Sequence, residues 1–326
     1  MQITLEDCND LQVKNGVVIL NDSTLFLRQK NKAQKQFDYM LGNIKLSKSS
    51  IENFQENMAS NISFTTANNC KYHHIIFPTK AMAYIADFSN LGFSIYPIVK
   101  DVHLTYKVYY PDATSLKKDY YVKDGNHCSC IGYLSIVEPV LNKLGYSFQD
   151  IVFQFVTTNR LGDLGRMIGA QPIKRKYISG AIGHENIQSF SNLAALKGNT
   201  GEFRIKINND AVYKERLLLF GDSFFVGCLT ILSVLFEEVI YVRKPYVDQD
   251  LSNKLKPDVI LTGNAERYLT NVPDSRDDKP YFLSLINPAV DMSKLSSQDI
   301  EAINMIFLSR SSDRYKAWKR KLLNGF

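Results

Sequence analysis

Leu217-Leu218-Leu219-Phe220-Gly221-Asp222-Ser223-Phe224-Phe225 joins one apolar run to another through a three-residue polar turn. Four consecutive large apolar residues suit a strand buried on both faces, as in a parallel sheet. Phe224 to Phe236 is 13 residues without a charge, short of the roughly 20 that cross a bilayer, and reads as a buried helix. Working outward, Arg216 to Phe220 is a strand, Val239 to Val242 a strand, Leu251 to Leu255 a short helix and Val259 to Leu261 a strand. This βαβαβ alternation predicts an α/β fold with a parallel sheet covered on both faces. Chemistry in such sheets gathers at the carboxyl ends of the strands, where Ser223 falls.

Upstream, Val17 to Leu27 reads as a hairpin around Asn21-Asp22, and Ser47 to Asn61 as a helix with serine caps and Ile51, Phe54 and Met58 at helical spacing. His73 to Phe77 is a strand stopped by Pro78. Ile131, Leu134, Val137, Leu141 and Leu144 share one face of a helix over Ser129 to Leu144 that Gly145 ends. From Pro172 to Ile207 the chain turns polar and glycine-punctuated, predicting a β-rich insertion beside the site whose Tyr177 and Phe190 would meet a ligand. Without a long linker, 1–326 reads as a single domain.

The 39 basic and 33 acidic residues give a net charge of +6. The stretch 309–326 holds six basic residues and one acid and reads as a solvated basic C-terminal helix, with contact to an anionic membrane surface as its alternative. The body is then near neutral, and a nucleic-acid partner is not expected. With no basic, apolar start and an odd count of five cysteines, the chain reads as cytoplasmic.

Ser223 at a strand-to-helix turn would expose its hydroxyl at the sheet edge and aim a helix N-terminus at an oxyanion. Gly-Asp-Ser is equally the pattern of a plain helix cap. Of five histidines, His73 and His74 lie within a strand, His103 in Asp101-Val102-His103 remains open, and His184 sits in the polar insertion. His127, in Lys123-Asp124-Gly125-Asn126-His127, has an acid three residues upstream that could hold its imidazole. A loop histidine beside a capping aspartate fits the same residues. Asn264, at a strand end in Thr262-Gly263-Asn264, could donate to an oxyanion or serve as a turn residue.

Together these pieces resemble the SGNH (GDSL-like) hydrolase superfamily, and within it the alginate O-acetyltransferase-like branch. The resemblance rests on Gly16-Val17 through Leu25-Phe26-Leu27, Pro78-Thr79-Lys80, Asp124 with His127, Gly162-Asp163-Leu164, Gly221-Asp222-Ser223-Phe224, and Pro257-Asp258 with Glu266-Arg267. Asp and His precede Ser, the order of that branch. The Asp124 to His127 spacing matches Asp-x-x-His of the wider superfamily instead of the branch's Asp-x-His-Trp. Tyr241 to Asp250 lacks the superfamily's oxyanion-hole glycine.

The resemblance implies a three-layer SGNH-like sandwich and a Ser223, His127, Asp124 triad, with Asn264, Asp222 and Arg267 at the substrate or oxyanion. It implies O-acetylation of a bacterial surface polysaccharide, such as a capsule or exopolysaccharide, or of its precursor. An acetyl donor is then required without a bound cofactor, and a cytosolic member could use acetyl-CoA. A carbohydrate esterase of the same mechanism and a non-catalytic glycan-binding scaffold are the alternatives. Gly162 to Gly169 lacks dinucleotide-loop spacing. His127, Cys128 and Cys130 fall short of a zinc ligand set, so no metal is expected.

Overall fold

The computed structural model describes residues 5, 11–28, 35–277 and 291–303. The stretch 309–326 lies outside them. Three short antiparallel strands open the described chain, β1 (Gln12–Lys14), β2 (Val17–Ile19) and β3 (Leu25–Leu27), followed by helices α1 (Gln36–Met40) and α2 (Lys48–Ala67). Then come β4 (Lys71–Phe77), α3 (Ile85–Asn90), β5 (Val108–Tyr109), α4 (Cys130–Lys143), β6 (Phe153–Arg160), α5 (Asp163–Ile168) and β7 (Ile173–Ala181). The chain continues through β8 (Gln188–Ser191), β9 (Phe203–Ile207), β10 (Tyr213–Gly221), α6 (Ser223–Leu235), β11 (Phe236–Val242), α7 (Gln249–Leu255), β12 (Val259–Ala265) and α8 (Ser297–Ile303).

The central sheet has seven strands in the order β5-β4-β12-β10-β11-β9-β8. Its first five run parallel, and β9 and β8 extend it antiparallel at one edge. Strand β10 shows why the fold needs two helical layers. Leu217 and Leu219 pack with Tyr133, Ile136 and Val140 of α4 and Phe225 of α6, whereas Leu218 and Phe220 pack with Leu251 and Leu255 of α7. Side chains alternate across a strand, so an all-apolar strand is stable only with both faces covered. Helix α2 joins the second layer through Phe54 and Met58.

The segment predicted as one β-rich insertion divides between two places. Strand β7 pairs antiparallel with β6 in a two-stranded ribbon, and β8 and β9 are edge strands of the main sheet. Polar, glycine-punctuated composition cannot say which strand is the partner.

Candidate active site

Ser223 is the first residue of α6, reached directly from the carboxyl end of β10. A Cβ on Gly221 would lie 2.0 Å from the Gly263 carbonyl oxygen, so only glycine lets the ends of β10 and β12 approach this closely. Across that contact Asp222 accepts the Phe224 N–H at 2.8 Å and the Ala265 N–H at 2.9 Å. The turn is thereby tied to β12, and the serine hydroxyl is left half-buried above the sheet edge.

His127 Nε2 lies 2.9 Å from Ser223 Oγ, within reach for a proton transfer. The histidine sits on a loop from Val122 to His127 that closes through the Tyr121 to Cys128 bridge and the Val122 N–H to His127 carbonyl bond of 3.1 Å. Lys80 fills that loop from inside. Its ammonium donates to the carbonyls of Leu25, Val122 and Lys123 at 2.7 to 2.8 Å and approaches that of Gly125 at 3.4 Å. Burial pulls Lys80 down to about 7, with Asp124, Asp163 and Asp22 opposing.

Lys80→Met would leave those carbonyls in an apolar environment and untie the histidine loop from β3. Truncating one member of a buried charged network costs about 3–5 kcal/mol. Urea unfolding of Lys80→Met is expected to show a loss of that size, and a loss below about 1 kcal/mol would be that of a surface lysine.

The structure corrects the acid expected behind the imidazole. Asp163 Oδ2 stands 3.6 Å from His127 Nδ1, and Asp163 Oδ1 accepts the Asn126 N–H at 2.9 Å. Burial acts to raise the Asp163 carboxyl, but the hydrogen bond and charge of His127, with the Asn126 N–H, outweigh it and hold the group at about 2. Asp124 points elsewhere: it pairs with Arg175 of β7 and accepts the Gly162 N–H at 2.8 Å. Its backbone carbonyl also receives the Gly165 N–H at 2.9 Å. Asp124 therefore clamps the start of α5 to the histidine loop, which is what delivers Asp163 to the imidazole. Gly162-Asp163-Leu164 was visible in the sequence, but nothing local marks its acid as the one that meets His127.

The other site candidates are also redistributed. Both Asp222 oxygens are spent on backbone N–H groups, and a carboxylate cannot donate to an oxyanion. Asn264 Nδ2 donates to the Ala265 carbonyl at 3.1 Å and borders a separate cavity of about 380 Å³ with Asp222, Phe54 and His74. Arg267 is buried, its guanidinium carbon 4.8 Å from the Tyr268 ring centre and 5.6 Å from that of Phe224, and its Nε has no partner. None of the three lines the Ser223 cleft. Ser223 is the first residue of α6, a position whose N–H has no intrahelical acceptor and which carries the positive end of the helix dipole.

Ser223 and His127 open into a cleft of about 1130 Å³ walled by the β6–β7 ribbon. Tyr177 lies on that wall, with the Arg160 guanidinium 4.7 Å from its ring centre. Phe190 instead packs against the core beside β9 and is not on the cleft.

No family model matches the chain, and none of the curated proteins matches it. Solved structures do. A DHHW family protein from Eubacterium siraeum aligns over 84% of this chain and 99% of its own at 12% identity, with a TM-score of 0.53. PatB1 of Bacillus cereus, solved with a sulfonyl adduct, aligns over 79% and 97% at 12% identity and a TM-score of 0.50. The O-acetyltransferase domain of Pseudomonas putida AlgJ aligns over 83% and 98% at 13% identity, with a TM-score of 0.46. The first two likenesses show a shared fold, a mixed α/β architecture with a central, mostly parallel sheet. No helix among the described residues is long and apolar enough to cross a membrane.

Proposed function

We propose that the chain is a serine-dependent O-acyltransferase that moves an acetyl group onto a polysaccharide hydroxyl. The observation that carries this reading is the 2.9 Å contact of His127 Nε2 with Ser223 Oγ at the strand-to-helix turn, backed by Asp163 at the far side of the ring. In the first half-reaction His127 removes the Ser223 proton while Oγ attacks the acyl carbonyl of the donor. The tetrahedral oxyanion forms beside the α6 N-terminus. As it collapses, the bond to the donor's oxygen or sulfur breaks and His127 gives its proton to that leaving group. In the second half-reaction His127 deprotonates the acceptor hydroxyl, which attacks acyl-Ser223. Collapse yields the new ester, and the proton returns to Ser223.

The test offers the purified chain p-nitrophenyl acetate or acetyl-CoA, each with and without an oligosaccharide acceptor, and follows acetyl-Ser223 by mass spectrometry. Acetate appearing on the sugar only when Ser223 is intact is the expected result. Hydrolysis unaffected by acceptor would assign an esterase instead. Inertness toward both donors, with glycan binding retained, would leave a scaffold on the same fold. Only a donor that is consumed is thereby identified, acetyl-CoA included.

A further inference from the structure

The near-neutral average over the body of the chain conceals a local excess. Between Arg160 and Lys176 stand five basic residues and one acid, Asp163, and all five basic side chains border the Ser223 cleft. Arg175 is matched by Asp124, while across the cleft Arg204 and Arg243 share the single carboxylate of Glu202. Arg160, Arg166, Lys174 and Lys176 are exposed and form no ion pair with a described residue. Asp119 is the one other acid on the cleft. A cleft lined by one sign of charge concentrates its field on the bound ligand.

We propose, building on the acyl-transfer reading, that the acceptor is an anionic glycan, its carboxylates or phosphates held by Arg160 and Lys174 of the β6–β7 ribbon and by Arg166 of α5, while one hydroxyl reaches Ser223. The eight residues of β6 run about 26 Å at roughly 3.3 Å per residue, room for several sugar units in a line. The cleft also exceeds the ~300–1,000 Å³ of an ordinary small-molecule pocket. A single-stranded nucleic acid would instead call for open aromatic faces on which bases stack. Of the cleft tyrosines, Tyr121 and Tyr133 are buried, and Tyr177 carries Arg160 on its ring.

Binding is measured by calorimetry on the full chain carrying Ser223→Ala, so that no turnover occurs and a failure of the chemistry cannot mimic a failure of recognition. The probes are an oligogalacturonate, a poly(glycerol phosphate), a neutral cello-oligosaccharide of matched length and a single-stranded oligonucleotide. At least one anionic glycan should bind about tenfold or more tighter than the neutral one, weakening as salt rises from about 50 to about 300 mM. Whichever of the two binds identifies carboxylate or phosphate as the recognised group. The pair Arg160→Glu and Lys174→Glu should weaken that binding about tenfold or more at unchanged melting temperature. Lys48→Glu, on the exposed start of α2, should leave it as it was. Equal binding of neutral and anionic glycans, tighter binding of the oligonucleotide, or no effect of the ribbon pair would overturn the proposal.

Discussion

Ser223→Ala is expected to lower acyl turnover by about 10⁵–10⁶-fold, the scale of removing the nucleophile from a cooperating triad, while leaving the fold intact. The side chain is half-buried and hydrogen-bonds His127. The turn is held by Asp222, Gly221 and Gly263, none of which the substitution touches. Its removal therefore costs stability no more than an ordinary surface change, within about 0.5 kcal/mol. Single-turnover assays with a chromogenic acetyl ester, alongside thermal melting, separate the two effects. Persistence of ester turnover in the folded variant would move the nucleophile elsewhere. A sulfonyl fluoride should label the unaltered chain at Ser223 and spare the variant.

Asp163→Asn should cost about 10³–10⁴-fold in kcat, because an amide at that position can hold the imidazole in the wrong tautomer and no longer offsets its charge. Asp163 positions another group, so a second readout is needed. Asp163→Glu, which keeps a carboxylate on the Nδ1 side of the ring, should recover about tenfold or more of the loss at unchanged KM. Asp124→Asn is the informative contrast. It leaves Arg175, whose side chain is 13% exposed, without its partner, and should destabilise the protein by about 3–5 kcal/mol. Assayed well below its melting temperature, it should keep a kcat within about tenfold of wild type. A kcat for Asp163→Asn within about tenfold of wild type, or one lowered by about 10³-fold or more in folded Asp124→Asn, would restore Asp124 to the position behind the ring.

The parts of this molecule that rest on short-range pattern were readable in advance. Leu217 to Phe220 had to be a central strand because all four residues are apolar, and Ser129 and Gly145 bracket α4 as a cap and a left-handed stop should. Ser223 and His127 could be named because a strand-to-helix turn and a turn-prone loop are local features. That they meet, 96 residues apart in sequence, is a property of sheet order. The acid that faces the ring is beyond local reading for a related reason. Asp124 lies three residues from His127 and looks like its partner, yet the Arg175 and Gly162 contacts that occupy it come from 51 and 38 residues away. The cationic cleft was hidden by averaging, since whole-chain charge says nothing about which five of 39 basic residues share a wall.

Arg175 does two jobs at once, because it belongs to the ribbon that walls the cleft and its guanidinium grips Asp124 at the base of the histidine loop. On the proposed acyl-transfer reading, specificity and reactivity are then wired together in one side chain. A protein engineer who exchanged β6 and β7 for those of a relative, hoping to retarget the acceptor alone, would also be rewriting the support of His127. Such a chimera inherits a working base only if the incoming ribbon brings an arginine to the same register.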